Sequence, residues 1–272
     1  MLATSLVHYA YPMDWTYVIG AVALAYAWSL RRAGKRTGAS PGPYRIASFS
    51  ASLAILLLVF ATPIDAYAGV SLFDHTVEHL LLVFVVAPLF ALGAPVGVLL
   101  DAAPPRLRDR VLVPLLRSRA ASVPTHPAVA VGALLLVMGS TLFTPLSNAA
   151  MTNGNLHLLQ HALLLVIGFL LWHSLAGVDL PRHRVRLGVR LALMVLLVGF
   201  FASVGVALLL TRVPLYHAYA TLPPPWGGRA ALVSQHDTGG LLILGGGLLV
   251  LAATAAVSPG TRVGPLEHEL GG

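Results

Sequence analysis

The chain has 272 residues, 57% of them hydrophobic and 10% charged, where a soluble domain carries about 25% charged residues. Such a composition belongs to an integral membrane protein, and at about 20 residues per crossing the length leaves no room for a sizeable soluble domain, which excludes a cytosolic enzyme. The net charge of +7 does not signal nucleic acid, because the basic residues lie in short loops between apolar stretches, where they orient a membrane protein.

In chain order, the apolar stretches predict helices at Trp15–Leu30, Ile46–Ile64, His75–Leu100, Pro127–Leu146, Leu156–Ala176, Leu187–Leu210 and Thr238–Val257. The expectation is an all-α, multi-pass bundle of seven transmembrane helices, with residues 1–272 forming a single membrane domain. The segment before Trp15 has neither the basic start nor the apolar run of a cleaved signal peptide and reads as a short tail. Arg31, Arg32, Lys35, Arg36 and Arg45 fall in the first connection, Arg106, Arg108, Arg110, Arg117 and Arg119 in the third, and Arg182, Arg184, Arg186 and Arg190 in the fifth. The second and fourth connections have no Lys or Arg, and the sixth has only Arg212 and Arg229. The positive-inside rule then places the N-terminus outside and the C-terminus in the cytoplasm. Pro88, Gly93 and Pro95 in the third span, and Gly245, Gly246 and Gly247 in the seventh, read as kinks or points of close helix packing.

The chain carries 11 histidines, and imidazole within a span is costly without a partner. On this topology His8, His75, His79, His157, His161, His217 and His236 fall on the outer side, and His126, His173, His183 and His268 on the inner side. Residues four apart share a helix face, about 40° around and 6 Å along, so His75 pairs with His79 and His157 with His161. Each pair can hold or point at one ion. Glu78 and Gln160 sit next to the second His of each pair, where they can accept an imidazole N–H and orient the ring. Asp237, beside His236, is the other acid placed to join such a cluster. A lone His at a helix end is ordinarily an interfacial residue bonded to water or a carbonyl, which is the reading for His8, His126, His173, His183 and His268. Two pairs on one membrane face point to a metal or cofactor instead.

Cysteine is absent, which removes thiolate sites and iron–sulfur clusters and leaves Cu(I), Cu(II), Zn(II) and haem iron as candidates. Met13 and Met151 lie on the outer side, and thioether suits Cu(I), although Met is also common apolar filling. The run His75-Thr-Val-Glu78-His79 matches the H-x-x-E-H pattern of inverted zinc proteases. It opens a transmembrane helix, however, no downstream glutamate ligand is identifiable, and Gln160 in the second copy cannot act as a general base.

The run from His75-Thr-Val-Glu78-His79 through Pro88, Gly93 and Pro95 resembles the paired-His helix of the CtaG-type cytochrome c oxidase assembly factors associated with caa-type oxidases. Thr125-His126-Pro127, His157-Leu-Leu-Gln160-His161 with Gly168 and Trp172, Pro214-Leu215-Tyr216 with Tyr219, and Asp237 with Gly239-Gly240 extend the resemblance over roughly His75 to Val257. It departs at Gln160, where that family often has Glu, and at Gln235-His236-Asp237, which matches the family's acid only loosely. The resemblance implies a multi-pass protein of the bacterial plasma membrane that passes copper, as Cu(I), to the oxidase catalytic subunit, supplied by a separate extracytoplasmic copper donor. Under it, His75, His79, His157 and His161 form the metal site, His236 or Asp237 adds or gates a ligand, and Glu78 and Gln160 orient the imidazoles. A haem-binding electron-transfer protein, a seven-helix membrane zinc hydrolase and a metal-free assembly scaffold remain as alternatives.

Overall fold

The computed structural model describes residues 12–38, 41–61, 63–176, 185–221 and 230–257, and the regular structure in them is helical throughout. His8, His183 and His268, with Arg182, Arg184, Arg229 and Arg262, lie outside the described residues. The principal elements are α1 (Pro12–Thr37), α2 (Pro43–Ala61), α3 (Pro63–Ala68), α4 (Leu72–Ala102), α5 (Pro127–Phe143), α6 (Leu146–Thr152), α7 (Gly154–Ala176), α8 (Leu187–Leu210), α9 (His217–Thr221) and α10 (Ala231–Ala256). Short helical turns between residues 105 and 122 join α4 to α5.

Helices α2, α4, α7, α8 and α10 are each long and apolar enough to cross a membrane, and α5 with α6 amounts to a sixth span if the bent pair is one crossing. The pair turns through 79° at Thr144–Pro145, where the sequence predicted one continuous span to Leu146. Pro145 explains the turn, since it cannot donate to the preceding helix and its ring blocks continuation. Helix α1, predicted as the first span, has 26 residues, enough in length, but Asp14, Thr16, Tyr17, Arg31 and Arg32 make it more polar than those five helices, and it is not among them. Helix α10 begins seven residues before the predicted Thr238, so Ser234, Gln235, His236 and Asp237 lie within the helix.

Helix α4 is the most buried of the spans and separates two apolar cores. Leu82 and Val86 face a core with Tyr26, Phe49 and Phe60, whereas Val83, Phe84 and Ala87 face the larger core with Leu164, Trp172 and Phe201. Its middle widens into a π-turn at Leu82–Val86, closed by the Ala87 N–H on the Leu82 carbonyl. Pro88 has no N–H, so the Val83 carbonyl loses the donor that would continue this pattern. Trp172 Nε1 of α7 donates to that carbonyl at 2.6 Å, and both groups are buried. One turn earlier, Gly168 lets α7 lie against the same segment: a Cβ there would stand 3.0 Å from the Ala87 Cβ. At Ala94 the chain leaves the α4 helix through a left-handed residue (φ 49°) before Pro95 restarts it, and the freed Gly93 carbonyl accepts from the Tyr26 hydroxyl at 2.9 Å. Helices α8 and α10 meet backbone to backbone, since a Cβ on Gly205 would lie 2.5 Å from the Gly239 carbonyl, the small-residue contact that membrane bundles favour.

Candidate metal centre

His157, His161, Gly168 and Trp172 fall on one face of α7 at steps of 4, 7 and 4 residues, close to whole turns of a 3.6-residue helix. Anchoring Gly168 and Trp172 on the π-turn of α4 therefore fixes the rotation of α7 that points its two histidines at α4. On α4, Ser71 caps the first turn by accepting from the Asp74 N–H at 3.4 Å, and the next residues, His75 and His79, project from the inner face with less than 9% of their surface exposed.

The four rings close a quadrilateral. Centroids are 4.1 Å apart within each pair, 5.1 Å from His75 to His157 and 5.2 Å from His79 to His161. Ligand atoms of His75, His79 and His157 all lie within 4.8 Å of one another, and so do those of Glu78, His157 and His161. With metal–nitrogen bonds of about 2 Å, each trio needs only small side-chain shifts to close on one ion. His157 is half-buried, and the Glu78 carboxylate, fully buried, stands 3.6 Å from His161 Nε2. Phe60 lies beside the His161 ring at 5.3 Å.

Nδ1 of His75, Nε2 of His79, His157 and His161, and Oε1 of Gln160 are buried without a hydrogen-bond partner among the described residues. Buried polar atoms are paired as a rule, so unpartnered ring nitrogens on four clustered imidazoles fit a soft or borderline cation, which several imidazoles hold well.

The sequence placed Glu78 as an orienting group for its own helix. In the structure its carboxylate reaches the partner helix and stands among the potential donor atoms. Gln160 borders a cavity beside His75 and His79. His236 and Asp237 are not members of either group of potential donors among the described residues. The His236 ring instead stands 3.0 Å, Nε2 to O, from the Thr211 carbonyl, and its neighbour Gln235 holds the Leu215 N–H and the Val213 carbonyl. The reason is angular: Ser234, which bonds the Phe73 N–H and Ser71 of the α4 start, sets the inward face of α10, and His236 is about 200° around the helix from it. His217 is exposed on α9, His126 is exposed at the start of α5, and His173 lies beside Phe169 on α7.

Tyr219 was not singled out as a site residue, yet its ring is 6.4 Å from that of His75, and its hydroxyl donates to Met151 Sδ at 2.9 Å. Burial and the nearby Glu78 carboxylate push the Tyr219 phenol well above its ordinary value, and burial lifts Tyr216 to about 12, so both hydroxyls stay protonated donors at neutral pH. The signal available in sequence is the Tyr216-x-x-Tyr219 spacing in the segment between α8 and α10.

A family model described as cytochrome c oxidase caa3 assembly factor matches residues 24–258. The chain belongs to that family. The match includes most of α1 and all of α2, beyond the stretch in which the paired histidines carried the resemblance. An uncharacterized protein of Mycobacterium bovis is 26% identical over 235 residues, which is 82% of this chain and 35% of that protein. An uncharacterized protein of Mycobacterium tuberculosis matches with the same identity and coverage. The chain thus spans 35% of the length of the curated relatives it matches. No solved structure matches it.

Proposed function

We propose that this assembly factor is a copper carrier of the bacterial plasma membrane. In this reading it takes Cu(I) from an extracytoplasmic donor and delivers it to the catalytic subunit of a haem–copper oxidase. His75, His79, His157 and His161 hold the ion, with Glu78 as a further donor. The arrangement in the membrane is seven spans, counting α1 and the bent α5–α6 pair, with the N-terminus outside, the C-terminus in the cytoplasm and the cluster near the outer surface.

The observation that carries this reading is the meeting of two i, i+4 imidazole pairs from α4 and α7 around open ring nitrogens. Copper is the cargo, and its transfer is ligand exchange between imidazoles, so neither thiol nor redox chemistry is needed. A haem fits less well, because the ring centroids stand only 4.1–5.2 Å apart, too close for a porphyrin between the two pairs.

The test is metal analysis of the detergent-purified protein after growth with copper, by mass spectrometry and visible spectrum, for wild type and a His79→Ala, His161→Ala variant. The expected result is near-stoichiometric copper in the wild type and its loss in the variant, together with copper-poor oxidase in a strain carrying the variant. Zinc or a haem band in the wild type, or an oxidase with full copper in the variant strain, overturns the proposal.

A further inference from the structure

The 79° bend between α5 and α6 does more than end a span. It folds α6 across the outer end of the bundle, where the Asn148 Oδ1 accepts the Ala218 N–H at 3.0 Å and the Tyr216 hydroxyl donates to the Leu142 carbonyl at 3.1 Å. Beneath this cap lies a cavity of about 30 Å³, room for about two water-sized occupants. Its lining includes His75 and His79 of α4, Met138 of α5 and Met151 of α6, both methionines less than 9% exposed. Thr141 and Ser147 also line the cavity, and the Tyr219 hydroxyl stands 2.9 Å from Met151 Sδ.

We infer that this cavity is the loading vestibule of the carrier, in which the thioethers of Met138 and Met151 receive a cuprous ion and pass it to His75 and His79. The inference rests on the copper reading and adds the route and the donors along it. Thioether sulfur is soft, uncharged and has no proton to lose, so it selects Cu(I) over Zn(II) and does so independently of pH. Two such donors hold the ion weakly, and the imidazoles beyond them take it in exchange, with no change of oxidation state and no proton released from sulfur. If the methionines only fill space, Leu serves equally well in their place, since that swap conserves volume.

The experiment follows Cu(I) transfer from a coloured Cu(I) chelator to the full chain in detergent, for wild type, Met151→Leu, and Met138→Leu with Met151→Leu. The expected result is a fall in loading rate of about tenfold or more in the double variant, with final copper content and affinity within about twofold of wild type. Unchanged rates overturn the vestibule and leave the histidine site standing, whereas a wild type that takes up no Cu(I) overturns both. Affinity falling in step with rate overturns the route in favour of a static sulfur site. A second measurement does not depend on any variant folding: X-ray absorption of the wild type given excess Ag(I), which prefers thioether, is expected to show sulfur neighbours, and nitrogen or oxygen neighbours alone overturn the inference.

Discussion

At the scale of single residues, the two histidine pairs were legible because an i, i+4 spacing fixes a shared face whatever the helix later packs against. What was not legible is anything that depends on the neighbouring helix. Glu78 reads as a companion of His79 along the chain, yet its oxygen lies 3.6 Å from His161. His236 looks like a fifth ligand beside Asp237, but Ser234 claims the inward face and turns His236 toward the Thr211 carbonyl. Replacing Glu78 by Gln keeps the shape and removes the charge, and a donor or orienting group of this kind is worth about 10–100-fold in metal affinity. Copper titration of Glu78→Gln is therefore expected to show weaker binding by that factor with unchanged stoichiometry. Wild-type affinity assigns the carboxylate no part in the site. His236→Ala is expected to leave copper affinity unchanged in the same titration, and loss of binding there returns His236 to the ligand set.

At the scale of elements, hydropathy located the long apolar helices to within a few residues at most ends, because burial of apolar surface and span length are sequence-local quantities. The internal breaks were legible only as punctuation. Pro88 announced a disturbance in α4 but not that it takes the form of a π-turn, nor that Trp172 satisfies the buried Val83 carbonyl that Pro88 leaves without a helix donor. Pro145 sat inside a predicted span, and only the structure shows the chain folding back there to build the cap over the histidines. Trp172→Phe keeps an aromatic ring and deletes the donor, leaving the Val83 carbonyl unpaired, a loss of about 1–2 kcal/mol. The expected outcome is a lower thermal unfolding midpoint in detergent, together with reduced copper retention, because the same contact sets the rotation of α7. A lowered midpoint with full copper retention separates stability from placement and refutes that link.

At the scale of the whole molecule, the loop charges make a claim about sidedness that a chain without cysteine allows to be tested cleanly. Arg108 lies exposed in the turns between α4 and α5, and Val213 lies exposed between α8 and α9. A single cysteine at Arg108 is expected to react with a membrane-impermeant maleimide only after the cells are opened, and one at Val213 in intact cells. The reverse pattern inverts the topology and puts the histidine cluster on the cytoplasmic side, out of reach of an extracytoplasmic donor. The family match runs over residues 24–258, from within α1 to the end of α10, and the chain covers 35% of the length of its curated relatives.

The π-turn of α4 also makes the two histidine helices unequally sensitive to the counting of residues. A π-turn holds one more residue than the α-helical turn it replaces, and each residue advances a helix by about 100°. Deleting one residue between Leu82 and Val86 would therefore return this stretch to an ordinary α-helical turn, and His75 and His79 would keep facing α7. Helix α7 holds no such spare residue: a deletion between His161 and Gly168 would turn His157 and His161 about 100° away from α4 while Gly168 and Trp172 stayed in place. When relatives are aligned, a one-residue gap in α4 at this place is thus compatible with an intact histidine cluster, whereas a gap in α7 is a sign that the imidazoles no longer meet.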